Sequence, residues 1–306
     1  MGHRTREVLA VLRPIVVGLD GSRESLAAAD WAAREALLRG LPLRLVHAWE
    51  GLPSDAADLP ELDAPRHWAR RILRAAMDRI DEKYPQVSLS GDQIARPAAD
   101  ALVTAGAESE LLVLGSRAFS GIGGFMAGSV ASATVAHAVR PVVLVRAGRT
   151  AEDEHLPDAE GRTSAVTAYR PVVVGLDPAH SCEELLAFAF ESAALHAAPL
   201  RVLYAWQLPF MPVAAEAKAR RTLRETATRR LDRVLGPWRE KYPAVELHPL
   251  AEEGRPALRL LDITKDAGLL VVGRRIRPAV LGTHTGPVAH AVVHHARCPV
   301  SVVPHE

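Results

Sequence analysis

The chemistry in this chain concentrates in one run: Gly115-Ser116-Arg117-Ala118-Phe119-Ser120-Gly121-Ile122-Gly123-Gly124-Phe125-Met126-Ala127-Gly128-Ser129. An apolar stretch precedes it and a helical pattern follows. The chain therefore leaves a buried strand through a glycine-rich loop and enters a helix at Gly128-Ser129. Glycines let the backbone approach a ligand closely and adopt positive φ. A helix start presents unpaired N–H groups and the positive end of the peptide dipoles, both of which favour an anion. Ser129 adds a hydroxyl donor. The chemistry to expect is phosphate binding, although the composition alone fits a flexible surface loop ahead of a serine-started helix equally well. Arg117 could supply a charge-assisted contact. It is also an ordinary surface residue in a chain where only four of 37 basic residues are lysine.

Signals for bond-making chemistry are weak. There is no Gly-x4-Gly-Lys-Ser/Thr loop, no His-Glu-x2-His and no Gly-x-Ser-x-Gly elbow. No clear base stands ready to activate water, although Asp20 could help hold Mg2+. The expectation is a protein that is not an enzyme. His284, His290, His294 and His295 gather late, and His290 and His294 share a helical face as metal ligands do. No cysteine or carboxylate lies at a compatible spacing, so a polar helix face is the better reading and no metal site is expected. Cys182, near a helix start, reads better as a buried thiol than as an activated one. The five tryptophans read as packing residues.

The elements that must position the loop repeat. Arg13-Pro14-Ile15-Val16-Val17-Gly18-Leu19-Asp20 returns as Arg170-Pro171-Val172-Val173-Val174-Gly175-Leu176-Asp177. Ala48-Trp49 returns as Ala205-Trp206, Lys83-Tyr84-Pro85 as Lys241-Tyr242-Pro243, and Pro141-Val142-Val143 as Pro299-Val300-Ser301, at offsets of 157 to 159 residues. A solenoid unit is far shorter, so this is a duplicated domain of roughly 140 residues. We place the first domain at 10–147, a polar, acidic linker at 148–168, and the second domain at 169–306. In the first copy, strands are expected at 13–19, 43–49, 86–94, 110–115 and 141–146, and helices at 22–39, 66–83, 97–108 and 129–139. Runs such as Leu111-Leu112-Val113-Leu114 are continuously apolar, as in strands covered on both faces. Ser22 and Gly40 suit the two ends of the first helix. The fold class is α/β, with two tandem doubly wound, five-stranded parallel-sheet domains of Rossmann-like, adenine nucleotide α-hydrolase-like type. Such sheets bind ligands at the carboxyl ends of their strands, where strand order reverses.

A net charge of +1 argues against an indiscriminate grip on nucleic acid or an anionic membrane. Two cysteines are too few for a disulfide framework. The opening MGHRTREVLAVLRP lacks a signal-peptide core, and no stretch approaches the ~20 apolar residues of a membrane helix. A cytoplasmic protein is expected.

Gly115, then Ala118, then nine residues, then Gly128-Ser129 resembles the Gly-x2-Gly-x9-Gly-Ser/Thr nucleotide loop of the universal stress protein family, with one departure. The resemblance spans nearly all of both repeats, through the Val-Gly-Leu-Asp strand end, the Leu-Val-His-Ala-Trp strand and the Pro-Val-Val-Leu-Val final strand. It implies a tandem member of that family whose cofactor is ATP, with or without Mg2+. By the same resemblance Asp20 faces the nucleotide, and Ala48 and Leu114 line the adenine pocket. Gly115, Ser116, Arg117 and Ala118 follow the phosphates, and Gly128, Ser129 and Val130 donate to them. Ala118 stands where the family has its second glycine, and its β-carbon crowds a close approach. In copy two the frame reads Gly273, Ile276, Gly286-Pro287. Pro287 loses both hydroxyl and N–H, so ATP is expected mainly in the first domain. The resemblance further implies an intrachain pseudo-dimer paired through the final strands 141–146 and 299–304, with self-association into homo-oligomers left open. The leading function is an ATP-binding regulator of stress or dormancy physiology. Alternatives are a nucleotide-independent interaction module and an ATP-hydrolysing enzyme.

Overall fold

Strands buried on both faces form the centre of the molecule. A computed structural model of the chain describes residues 12–49, 63–116, 128–276 and 285–306. The first half runs β1 (Ile15–Leu19), α1 (Arg23–Arg39), β2 (Leu43–Trp49), α2 (Asp63–Lys83), β3 (Leu89–Ala95), α3 (Ala98–Ala107), β4 (Leu111–Ser116), α4 (Ser129–His137) and β5 (Val142–Arg146). The second half repeats this order: β6 (Val172–Gly175), α5 (Glu183–Leu195), β7 (Leu200–Trp206), α6 (Val213–Lys241), β8 (Leu247–Glu253), α7 (Pro256–Ile263), β9 (Leu269–Arg275), α8 (Pro287–His295) and β10 (Val300–His305). The apolar runs Ile15–Leu19 and Leu111–Leu114 are buried throughout.

Local signals set the helix bounds. Ser22 Oγ accepts from Ser25 N at 3.2 Å and caps α1, and Gly40 ends it at φ 63°, a conformation that costs glycine little. The helices segregate onto two faces of the sheet. One apolar core lies under α1, α2, α5 and α6, and the other under α3, α4, α7 and α8.

The ten strands of the described residues join in one sheet, ordered β3-β2-β1-β4-β5-β10-β9-β6-β7-β8. Each half is parallel within itself, and the halves meet where β5 and β10 pair antiparallel, Leu144 opposite Val300 and Val142 opposite Val302. The two apolar edges named from the sequence therefore cover each other, which removes the aggregation hazard of an open apolar edge. Because this junction is antiparallel, the carboxyl ends of the parallel strands point to opposite ends of the sheet in the two halves.

A second seam runs between α1 and α5. Glu35 is 3% exposed; it accepts from Arg39 Nε at 2.7 Å and from His196 Nε2 at 2.9 Å. Burial alone would raise the Glu35 carboxyl, but the hydrogen bond and charge of His196, with those of Arg39, bring it down to about 2. The 148–168 segment is anchored beside this seam. Its Glu154 is buried and pairs with Arg34 at 2.5 Å. The Tyr169 ring lies between His155, at 4.0 Å, and His196, at 4.6 Å. Burial pulls the Arg34 guanidinium down, but the charge and hydrogen bond of Glu154 outweigh it and hold Arg34 above its ordinary value.

Candidate functional site

Strand order reverses between β1 and β4 in the first half, the place where open α/β sheets take ligands. Gly18 pairs with Leu114 and Leu19 with His47, so Asp20, Ala48, Gly115 and Ser116 come to one end of three adjacent strands. His47 Nδ1 donates to the Leu19 carbonyl at 2.8 Å and ties β2 to β1 there. Asp20 Oδ1 accepts from Ser22 N at 2.9 Å and from Ser22 Oγ at 2.5 Å. The β1–α1 turn thereby orients an exposed carboxylate beside the strand ends. Gly21, at φ 80°, supplies the left-handed step that turn needs.

Gly115 has a structural reason to be glycine. A β-carbon there would fall 2.5 Å from the Glu24 carbonyl carbon and 2.6 Å from Ser25 N, so its bareness lets the α1 backbone rest on β4. Leu114 is buried in the core beside Leu102; only its backbone is available to a ligand at the strand end. Ser116 is buried, and Ala48 is half-buried. Gly128 is the N-cap of α4; among the described residues no side chain caps that helix, and none lies within 4 Å of a β-carbon built at Gly128. Ser129 and Val130 are exposed at the helix start. Arg117 and Ala118 lie outside the described residues.

The second half presents a different site at the opposite end of the sheet. A cavity of about 1090 Å³ opens over the ends of β6, β7 and β9 and the start of α8. Gly286 is the N-cap of α8 at φ 81°, with Pro287 as the first helical residue. One of the N–H groups that α4 offers is therefore missing in α8. The His180–Asp177 pair, at 3.1 Å, lies close to Cys182. The Cys182 thiol points to the Asp177 and His180 carbonyls at 3.3 and 3.4 Å, and burial pushes its pKa up. A protonated thiol turned to the backbone is no nucleophile.

Two arginines bind the halves across the junction; the sequence offered Arg274 as an anion contact or, better, part of a solvated basic loop, whereas it is buried. Arg146, at the end of β5, donates to the His294 carbonyl near the end of α8. Arg274, near the end of β9, donates to the Ala138 carbonyl at the end of α4. Each guanidinium meets the negative end of a helix from the opposite half. They occupy non-equivalent repeat positions: Ser116 pairs with Arg146 in register, and Arg274 with Pro304. In sequence each is an arginine at the end of an apolar run, a signal too common to read. Helix α4 thus has one end at the first-half site, while His137, Ala138 and Val139 line the second-half cavity.

His290 and His294 sit with ring centres 4.4 Å apart, and His294 is lowered by burial and then by the charges of His290, His295 and Arg146. Among the described residues, no three His, Cys, Asp or Glu side chains group to hold a metal, and no helix is long and apolar enough to cross a membrane. Trp31 and Trp206 are buried as expected, but Trp68 is 59% exposed, with Arg71 over its ring at 4.8 Å; packing does not account for it.

The model of the Universal stress protein family matches residues 12–146 and again 168–304. A universal stress protein of Mycobacterium tuberculosis is 30% identical over 304 residues, covering 94% of this chain and 96% of its own length. A second from that species is 31% identical over 319 residues, covering 94% of each. Among solved structures, a universal stress protein from Archaeoglobus fulgidus superposes over 96% of this chain and 98% of its own, with a TM-score of 0.64 at 15% identity. A protein described as a putative universal stress protein from Pseudomonas aeruginosa covers 96% and 94%, with a TM-score of 0.57 at 18% identity.

Proposed function

This chain belongs to the universal stress protein family as a tandem, two-repeat member, and from that premise we propose that its first half holds an adenine nucleotide, ATP foremost, as a regulatory ligand. The observation that carries the reading is the start of α4. Among the described residues no side chain caps it and none crowds Gly128, Ser129 is exposed, and it lies across the strand reversal from an oriented Asp20 carboxylate. Backbone N–H groups at such a start suit phosphate oxygens.

In this reading the nucleotide supplies phosphate charge and no bond is broken. The N–H groups of Ser129 and Val130 and the Ser129 hydroxyl hold the phosphates, with Ser116 at the strand end beside them. Ala48 and the Leu114 backbone face the base. Asp20 holds Mg2+ where the metal accompanies ATP. Occupancy at the start of α4 is felt at its other end, where Arg274 grips Ala138, so the signal passes from one half to the other along a single helix. The protein then acts in the cytoplasm as a nucleotide-responsive regulator of stress or dormancy physiology, without turnover.

Thermal unfolding in graded ATP tests this. Binding to the folded state alone stabilises by about 2.7 kcal/mol at a hundredfold excess over Kd, so the midpoint rises with ATP concentration. Gly128→Val with Ser129→Ala abolishes the rise, while Gly286→Ala leaves it intact. A midpoint indifferent to millimolar ATP, or an equal loss from the Gly286 change, refutes the proposal.

A further inference from the structure

The second-half cavity carries a buried cation that, among the described residues, meets the carboxyl end of α4 but no acid. Arg274 is 6% exposed and lines the cavity. Its Nη2 donates to Ala138, but its Nε is buried with no hydrogen-bond partner. No carboxylate among the described residues pairs with it. Burial disfavours its charged form, and no acid among the described residues offsets that cost. Trp206 lines the same cavity, and its Nε1 is likewise buried without a partner. Buried donors of this kind are ordinarily satisfied, and an uncompensated buried cation is costly. Much of the remaining wall is apolar, including Leu176, Leu185, Leu203, Leu260 and Val272.

The same cavity is poorly equipped for a string of phosphates. Pro287 removes an N–H from the helix start, where the first half keeps Ser129. Asp177, the one acid among the described wall residues, is turned towards His180. Arg274 and Arg275 set against Asp177 leave the described wall one net positive charge, which one negative charge on a ligand balances, and the volume and lining suit a bulky apolar body.

We propose that the second half binds an organic monoanion, a carboxylate on an extended apolar or aromatic body, with its acidic group on the Arg274 guanidinium beside Trp206. This ligand differs in class from the nucleotide assigned to the first half, and the two sites face opposite ends of the sheet.

The test uses the full chain and a matched pair of fluorescent probes, 1-pyrenebutyrate and 1-pyrenebutanol, which share a body and differ in charge. A charge-assisted hydrogen bond in a buried site is worth at least about tenfold in affinity. The parent protein should therefore bind the acid at least about tenfold more tightly than the alcohol. Arg274→Met should erase that difference while the alcohol binds as before. Leu223→Trp, on the half-exposed wall contributed by α6, should weaken both probes several-fold and does not depend on the arginine variant folding. Equal affinity of the parent for acid and alcohol overturns the proposal. So does a preference that survives in folded Arg274→Met, or a Leu223→Trp protein that binds both probes unchanged. Displacement of pyrenebutyrate by ATP or AMP at lower concentration than by unlabelled decanoate also overturns it, because the cavity is then a nucleotide site.

Discussion

Acid should loosen the seam between α1 and α5 before it reaches the sheet, and Glu35 sets the size of the effect. Its carboxyl falls from an ordinary 4.5 to about 2 because the hydrogen bonds and charges of His196 and Arg39 outweigh its burial. At about 1.4 kcal/mol for each tenfold change in proton affinity, that shift is worth about 3 kcal/mol. The sign follows from the depressed folded-state value. The stabilisation is present in full above pH 4.5 and is lost as pH falls towards 2. Glu35→Gln keeps the shape and removes the charge, so it should cost about 3 kcal/mol at pH 7 and converge on the parent near pH 2. Urea unfolding of both proteins between pH 2 and 8, with the difference plotted against pH, reads this group together with Glu154, whose carboxyl burial raises with help from the Glu35 charge. A difference that stays flat across that range would refute the reasoning, because the seam would then be held by packing alone.

Two further outcomes follow from local geometry. Gly115→Ala places a methyl 2.5 Å from the Glu24 carbonyl carbon, and the overpacking should destabilise the chain by about 1–3 kcal/mol in denaturant titration; an unchanged midpoint would show that α1 is free to retreat. Burial pushes the Cys298 thiol up to about 12, so this group should resist iodoacetamide at pH 8 in the folded protein and react only on unfolding, as read by peptide mass mapping. Rapid labelling of the native chain at Cys298 would contradict its enclosure.

The architecture was legible because it rests on local and repetitive signals. Continuous apolar runs such as Val142-Val143-Leu144-Val145 can be buried only between two helical layers, and the repeat fixed the order of elements twice over. The pairing of β5 with β10 was implied by the family resemblance and by two valine-rich edges poor in charge that need a cover; its antiparallel direction came from the structure alone. What stayed hidden depends on partners far apart in the chain. Glu35 and His196 are 161 residues apart, and on its own Glu35 reads as one more charge on a solvated helix face. Arg274 and Ala138 are 136 apart, and no spacing rule links a strand-end arginine to a distant helix terminus. Gly115 shows a subtler limit. Its smallness suggested close approach by a ligand, whereas the backbone of α1 already occupies that space. The large cavity in the second half was also illegible, because the substitutions Ile276 and Pro287 argue against one ligand without naming the space left for another.

The most direct measurement is mass spectrometry of the small molecules released when the purified chain is denatured, on the parent and on Gly128→Val with Ser129→Ala side by side. An adenine nucleotide near one equivalent from the parent and none from the variant is the predicted result. A parent that releases no nucleotide, even after equilibration with millimolar ATP and rapid desalting, or a variant that retains as much as the parent, would contradict the assignment of the first half as the nucleotide site.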